Sequence, residues 1–141
     1  CEGVQDRLAG LDANRVHNPD FATGLASSLK AGIAAIPEAA AGVLVVLGDM
    51  PAVDSDSLNR MLAAFRQGGG AVVRASSAGR RGNPVILPRA LFPDVAKLEG
   101  DAGARAIIEG AEIIEVEIGE GALIDVDTPE ALIAAGGVLS A

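Results

Sequence analysis

Two hydrophobic rhythms take turns along the chain. In GVLVVL, residues 42–47, apolar side chains follow one another without alternation, the pattern of a strand covered by helices on both faces. Beyond it Leu58, Met61, Leu62 and Phe65 recur at i, i+3, i+4 and i+7, one face of a helix that Asp54 or Ser55 can cap and Gly68-Gly69-Gly70 stops. Upstream, Leu29, Ile33 and Ile36 fall at i, i+4 and i+7 in SSLKAGIAAI and predict another helix. Residues 4–11 read as a short helix, and residues 15–17 as an edge strand leading into Asn18-Pro19. Downstream, AVVRAS predicts a strand, SAGRRGN a flexible loop with glycine near each end, and PVIL a short strand limited by Pro88. Two short helices are expected over residues 89–109, with Pro93 in a first turn and Gly100 between them. IIEVEI alternates as a half-exposed strand does, and ALIDV reads as the last strand. Thr128, Pro129 and Glu130 then stand as N-cap, N1 and N2 of a final helix that Gly136-Gly137 closes.

This order of strands and helices predicts an α/β layer fold with a mostly parallel sheet. GVLVVL is expected in mid-sheet, and ligands of such sheets bind at the carboxyl ends of the strands. Gly48-Asp49 lies at that end. Asp127 occupies the matching place after ALIDV, with Asp125 two residues earlier on the same face. Two carboxylates from two strand ends can share a cation, and magnesium suits them because it completes its octahedron with water and substrate phosphates. The same residues also suit turns. An aspartate after a buried strand makes a good cap, and Asp127 can serve the Thr128-Pro129 turn in that way.

Composition narrows the chemistry. The chain has 141 residues, half of them hydrophobic, enough for one domain with a real core. Eleven Lys plus Arg against nineteen Asp plus Glu leave a net charge of −8, which argues against a nucleic-acid or anionic-membrane surface. A phosphate ligand on so acidic a chain calls for a metal ion. Cys1 is the only thiol, which excludes an internal disulfide, a Cys zinc cluster and a CxxC pair, and fits a reducing cytoplasm. No apolar stretch approaches the roughly 20 residues that span a bilayer, and the polar, acidic start is unlike a signal peptide. Because the chain begins at Cys1, the expectation is a processed, trimmed or partial product.

Other chemistries find no footing in the residues. His17 is the only histidine, so a multi-histidine metal site is excluded, and no G-x-S-x-G turn is present to build a triad on it. Three Phe without Trp or Tyr leave no stacking platform for single strands. Neither G-x-x-x-x-G-K-[ST] nor G-x-G-x-x-G occurs, and Arg80-Arg81 follows the wrong strand to replace them.

Four blocks together carry a resemblance: LVVLGDMPAVDSDSLNRML, RGNPVILPRALF, GDAGARAII and IDVDTPEAL, spread between about Asn18 and Leu132. In order and spacing the chain resembles the molybdenum cofactor cytidylyltransferase group of the MobA-like nucleotidyltransferase family. The resemblance implies a three-layer, Rossmann-like nucleotide-diphospho-sugar transferase fold. It also implies attack of an acceptor phosphate on the α-phosphate of a nucleoside triphosphate, releasing pyrophosphate. By the same likeness Asp49 is a magnesium ligand and the catalytic carboxylate, Asp127 completes the metal site, and Gly24 and Ser28 lie against the nucleotide base. A loop glycine and the first turn of a helix account for Gly24 and Ser28 equally well.

Arg105 and Asn83 are the candidates for holding the acceptor. The arginine is suited to bidentate phosphate contacts and the asparagine to a polar ring edge, while a capping or loop-bracing role stays open for each. Members of the group open with a strand and a glycine-rich loop of the LAAGxSxRMG kind, which this chain lacks; its first strands are expected to be missing from a single partial domain over residues 1–141. Expected partners are a nucleoside triphosphate, CTP favoured over GTP, a molybdopterin-like acceptor and a molybdoenzyme or delivery chaperone. Nucleic acid and membrane are not expected. The alternative is a non-catalytic cofactor-binding relative, or an inactive fragment lacking the triphosphate loop.

Overall fold

The computed structural model describes residues 10–137, so the helix expected over residues 4–11 lies outside it apart from its last two positions. The element order is α1 Leu25–Ala34, β1 Gly42–Val45, α2 Ser55–Gln67, β2 Val72–Ser77, β3 Arg80–Pro88, α3 Phe92–Val95, α4 Ala104–Ile107, β4 Ile113–Glu117 and α5 Pro129–Ala134, with 3-10 turns at Phe21–Thr23, Arg89–Leu91 and Glu120–Ala122. The four strands form one sheet in the order β1-β3-β2-β4. β3 runs antiparallel to both β1 and β2, and β4 runs parallel to β2. Three of the four strands therefore point the same way, β3 alone is reversed, and β1, β2 and β4 share one carboxyl end.

Alternate side chains of each strand feed two cores. Val43, Val45, Val72, Val85 and Leu87 join Ala26, Val95 and Ile108 on the face covered by α1, α3 and α4. Leu44, Val73, Ala75 and Ile86 meet Met61, Phe65 and Ala122 on the face covered by α2 and the 3-10 turn at Glu120–Ala122. This is the three-layer, Rossmann-like α/β arrangement.

The helix α2 follows its pattern closely. Asp54 caps it, its carboxylate accepting from the Ser57 N–H at 2.8 Å, and Met61 is fully buried on the inner face. At the far end Gly68 ends the helix and Gly69 and Gly70 take positive φ, as the chain's reversal into β2 requires. Thr128 likewise caps α5, its hydroxyl accepting from the Ala131 N–H at 3.1 Å.

Four expectations are corrected. Among the described residues β1 is an edge strand and not a mid-sheet one, and Val46 just beyond it is 46 % exposed. An unbroken apolar run reports contact with a core on each face, which half-buried β1 makes through Val43 and Val45 on one side and Leu44 on the other; it does not count neighbouring strands. The loop SAGRRGN is a hairpin: Ala78 and Gly79, both at positive φ, turn β2 directly into β3, which starts at Arg80. ALIDV is not a strand. Ala122 is wedged into the second core from a 3-10 turn, and Val126 makes a lone N–H bond to the Asp49 carbonyl at 2.8 Å. Residues 15–17 form no strand either. Among the described residues no helix is long and apolar enough to cross a membrane.

Candidate functional site

Past Val45 the chain leaves the sheet and turns at Gly48-Asp49. Three contacts hold that turn. The Asp49 carbonyl accepts from Val126, the neighbouring Met50 is buried, and Gly121 lies so close to Ala52 that a Cβ on it would stand 2.5 Å from the Ala52 carbonyl oxygen. The segment carrying Asp127 is thereby laid against the turn carrying Asp49. Both aspartates line one cleft of about 470 Å³, together with Gly48, Pro51, Thr128 and Pro129.

Within this cleft Asp49 Oδ1 is buried and has no hydrogen-bond partner. A buried carboxylate oxygen without a donor is costly, and nearly all such atoms in folded proteins find a partner. Asp127 is exposed, and the cap of α5 is made by Thr128 and not by Asp127. The donor set is all oxygen, which suits magnesium or manganese rather than zinc. Among the described residues no three His, Cys, Asp or Glu side chains cluster as metal ligands. Asp125 does not join them. With no strand to put alternate residues on one face, it lines a separate pocket with Pro51, Ala52 and Ile124.

Asn83 and Arg105 meet in a second cavity of about 190 Å³, lined also by Arg74, Arg81, Gly82, Val85 and Ile108. A bulge shapes this wall: two residue steps of β2 from Arg74 to Ser76 face four of β3 from Val85 back to Arg81, so Gly82, Asn83 and Pro84 stand against Ala75 alone. Sequence reasoning missed Arg74 and set Arg81 aside as following the wrong strand. The signal for Arg74 was available, since an arginine inside the apolar run AVVRAS must be either exposed at an edge or buried with a partner.

Gly24 and Ser28 part company. Gly24 begins α1 at φ +115, and a Cβ there would stand 2.3 Å from the Gly100 carbonyl oxygen, so only glycine fits. The Ser28 hydroxyl accepts from Asn18 Nδ2 at 3.0 Å. Ser28 lines an apolar trough of about 540 Å³ beside β1, with Leu29, Ile33, Val43, Val45 and Leu47.

The layers define a Rossmann-like α/β domain, with Asp49 and Asp127 lining one cleft at the carboxyl end of its sheet. Residues 2–116 match the MobA-like NTP transferase domain, and the chain belongs to that family. It is similar to the purine catabolism protein PucB of Bacillus subtilis (strain 168), with 31% identity over 93 residues that cover 63% of this chain and 44% of that protein. The chain thus spans less than half the length of this curated relative. Among solved structures it is similar to Rv0371c from Mycobacterium tuberculosis H37Rv, with a TM-score of 0.69 and 25% identity over 78% of this chain and 58% of that one. The same protein in complex with manganese gives a TM-score of 0.67 at 25% identity, covering 76% of this chain and 58% of that one. Molybdopterin-guanine dinucleotide biosynthesis protein A from Archaeoglobus fulgidus shares the fold, with a TM-score of 0.67 at 13% identity over 96% of this chain and 73% of that one.

Proposed function

We propose that the chain carries the metal-binding and acceptor-holding part of a nucleotidyltransferase. The reaction transfers a nucleoside monophosphate, CMP from CTP, to the phosphate of a molybdopterin-like acceptor. The observation that carries this reading is the buried, unpartnered Asp49 Oδ1 in a cleft that Asp127 shares. The manganese complex of a similar solved structure supports a divalent ion as the missing partner of that oxygen.

In the transfer an acceptor phosphate oxygen attacks the α-phosphorus in line. The bond from that phosphorus to the bridging oxygen breaks, and pyrophosphate leaves with the electron pair. No protein nucleophile is needed, so the work of the chain is alignment and charge complementarity. Asp49 and Asp127 would hold the divalent ion, which when bound offsets the negative charge of the triphosphate. The turn at Asp49, fixed by Val126, Met50 and Gly121, keeps that carboxylate from relaxing toward water. Arg105 and Asn83 orient the acceptor from the second cavity, and Ser28 faces the nucleotide base across the trough beside β1.

The test is pyrophosphate release by the natively produced protein with CTP or GTP, a molybdopterin acceptor and magnesium or manganese. CTP should turn over faster than GTP, and Asp49→Asn should lower turnover by about 10²-fold or more while far-UV dichroism stays unchanged. Undiminished turnover in that variant rejects Asp49 as the ligand. Absence of transfer with either nucleotide rejects the activity in favour of a binding role.

A further inference from the structure

The cavity formed by Arg74, Arg81, Asn83 and Arg105 has a charge pattern unlike the rest of the molecule. The chain as a whole carries −8, yet three arginines line this space and no carboxylate does. Arg74 is the unusual member. It lies mid-strand in β2 on the α4 face, opposite Val85 in β3, and is only 7 % exposed. Burying a guanidinium costs several kcal/mol unless its donors are satisfied.

Glu115 supplies part of that satisfaction. It sits in register with Arg74 across the parallel β2–β4 pair and accepts from Arg74 Nη2 at 2.5 Å. The pair is lopsided, because the Glu115 side chain is 42 % exposed and the Arg74 side chain 9 %. Arg74 Nε remains buried with no partner at all. Val85 and Ile108 form an apolar floor, where charge-assisted hydrogen bonds are stronger than in water. The frame is also rigid: a Cβ on Gly82 would stand 2.1 Å from the Ala122 carbonyl oxygen, so the bulge is held hard against the 3-10 turn behind it.

We propose that this cavity is a preformed oxyanion subsite, anchored by the buried Arg74 guanidinium, that takes a phosphate group. Its volume of about 190 Å³ is below the ~300–1,000 Å³ of sites that enclose a whole ligand, so it holds one terminal group of a larger molecule. Arg81 and Arg105 close on the oxyanion from the exposed side, and Asn83 adds a neutral amide donor. β1 and β3 pair as far as Val45 and Val85, so Asp49 and the Arg81 end of β3, which stays paired with β2, lie toward the same end of the sheet. That the phosphate belongs to the acceptor rests on the nucleotidyltransferase reading; that the cavity binds phosphate does not.

The experiment is calorimetric titration of inorganic phosphate into the chain in EDTA, repeated with glycerol phosphate to separate free phosphate from a phosphomonoester. Saturable binding of both is expected. Arg74→Lys, which keeps the charge but loses the fork, should weaken phosphate by about tenfold or more. If Arg74→Lys fails to fold, the double variant Arg81→Ala/Arg105→Ala, altered only at exposed side chains, should show the same loss. Wild-type chain that does not bind phosphate, or a folded variant that binds it as wild type does, overturns the proposal. Manganese titration of the same variants keeps the two readings apart. Phosphate lost with manganese binding intact supports the subsite whatever becomes of Asp49, and manganese lost in Asp49→Asn with phosphate intact bears only on the metal cleft.

Discussion

Replacing Asp49 with alanine should stabilise the metal-free protein. The substitution keeps Cβ and removes only the carboxylate, so no methylene is lost from the core. The backbone bond from Val126 to the residue-49 carbonyl survives, being main chain to main chain. What disappears is a buried oxygen without a donor, an arrangement that costs about 1–3 kcal/mol. In EDTA the Asp49→Ala protein should therefore be more stable than wild type by that amount, or roughly 4 °C in Tm per kcal/mol at this chain length. Manganese reverses the comparison. At about 100 times its Kd an ion that binds only the folded state adds ~2.7 kcal/mol to wild type and nothing to the variant. Thermal melts by far-UV dichroism, with EDTA and with manganese, read both arms. A variant less stable than wild type in EDTA would show that Oδ1 has a protein donor, and manganese stabilisation retained by the variant would move the ion elsewhere; either result refutes the reasoning.

Gly82→Ala should be costly at a distance from both carboxylates, because its Cβ meets the Ala122 backbone on one side and the bulge cannot withdraw. A loss of about 1–3 kcal/mol or more is expected, with phosphate and manganese binding both weakened; a Tm equal to wild type would show that the bulge yields. Asp54 carries a pH signature. The Ser57 backbone N–H, then its hydroxyl, hold the Asp54 carboxyl below its ordinary value, so the cap contributes at neutral pH and is lost as pH falls through that lowered value. Urea midpoints should separate Asp54→Ala from wild type at neutral pH and converge in acid, and a separation that persists in acid would mean the cap does not act through the charged carboxylate.

The helices were the legible part of the fold, because an apolar face and a cap are local signals. Asp54 and the Leu58, Met61, Leu62, Phe65 stripe define α2 without any tertiary information, and the same holds for Thr128-Pro129 and α5. Pairing partners were not legible. The run Val43 to Leu47 reports contact with the cores on both faces of the sheet and is silent on which strand lies alongside. The hairpin at Ala78-Gly79 was hidden by composition: Ser, Gly and Arg read as loop, and alanine at positive φ is outside the usual Asn-Gly signature. ALIDV shows the ambiguity of short apolar runs, since one wedged alanine buries as well from a 3-10 turn as from a strand.

The two carboxylates illustrate a placement reached by a different route from the one anticipated. Strand-end reasoning expects residues 49 and 127 to converge from two strand ends, yet only the first follows a strand. The meeting is made by close backbone contact, Gly121 on Ala52 and Val126 on Asp49. One further glycine contact, Gly82 on Ala122, ties the same segment to the arginine cavity. Residues 119–127 are thus a spacer that touches the acidic cleft on one side and the basic cavity on the other. On the proposed function, that placement would suit a substrate whose phosphates are neutralised at two points, by a cation at the acidic cleft and by guanidinium at the basic cavity. On a chain of net charge −8 neither point alone would hold a polyphosphate against the general repulsion. Gly82 and Gly121 are the close-contact points on the two sides of that segment, so its seat between cleft and cavity depends on backbone rather than on the side chains that carry charge.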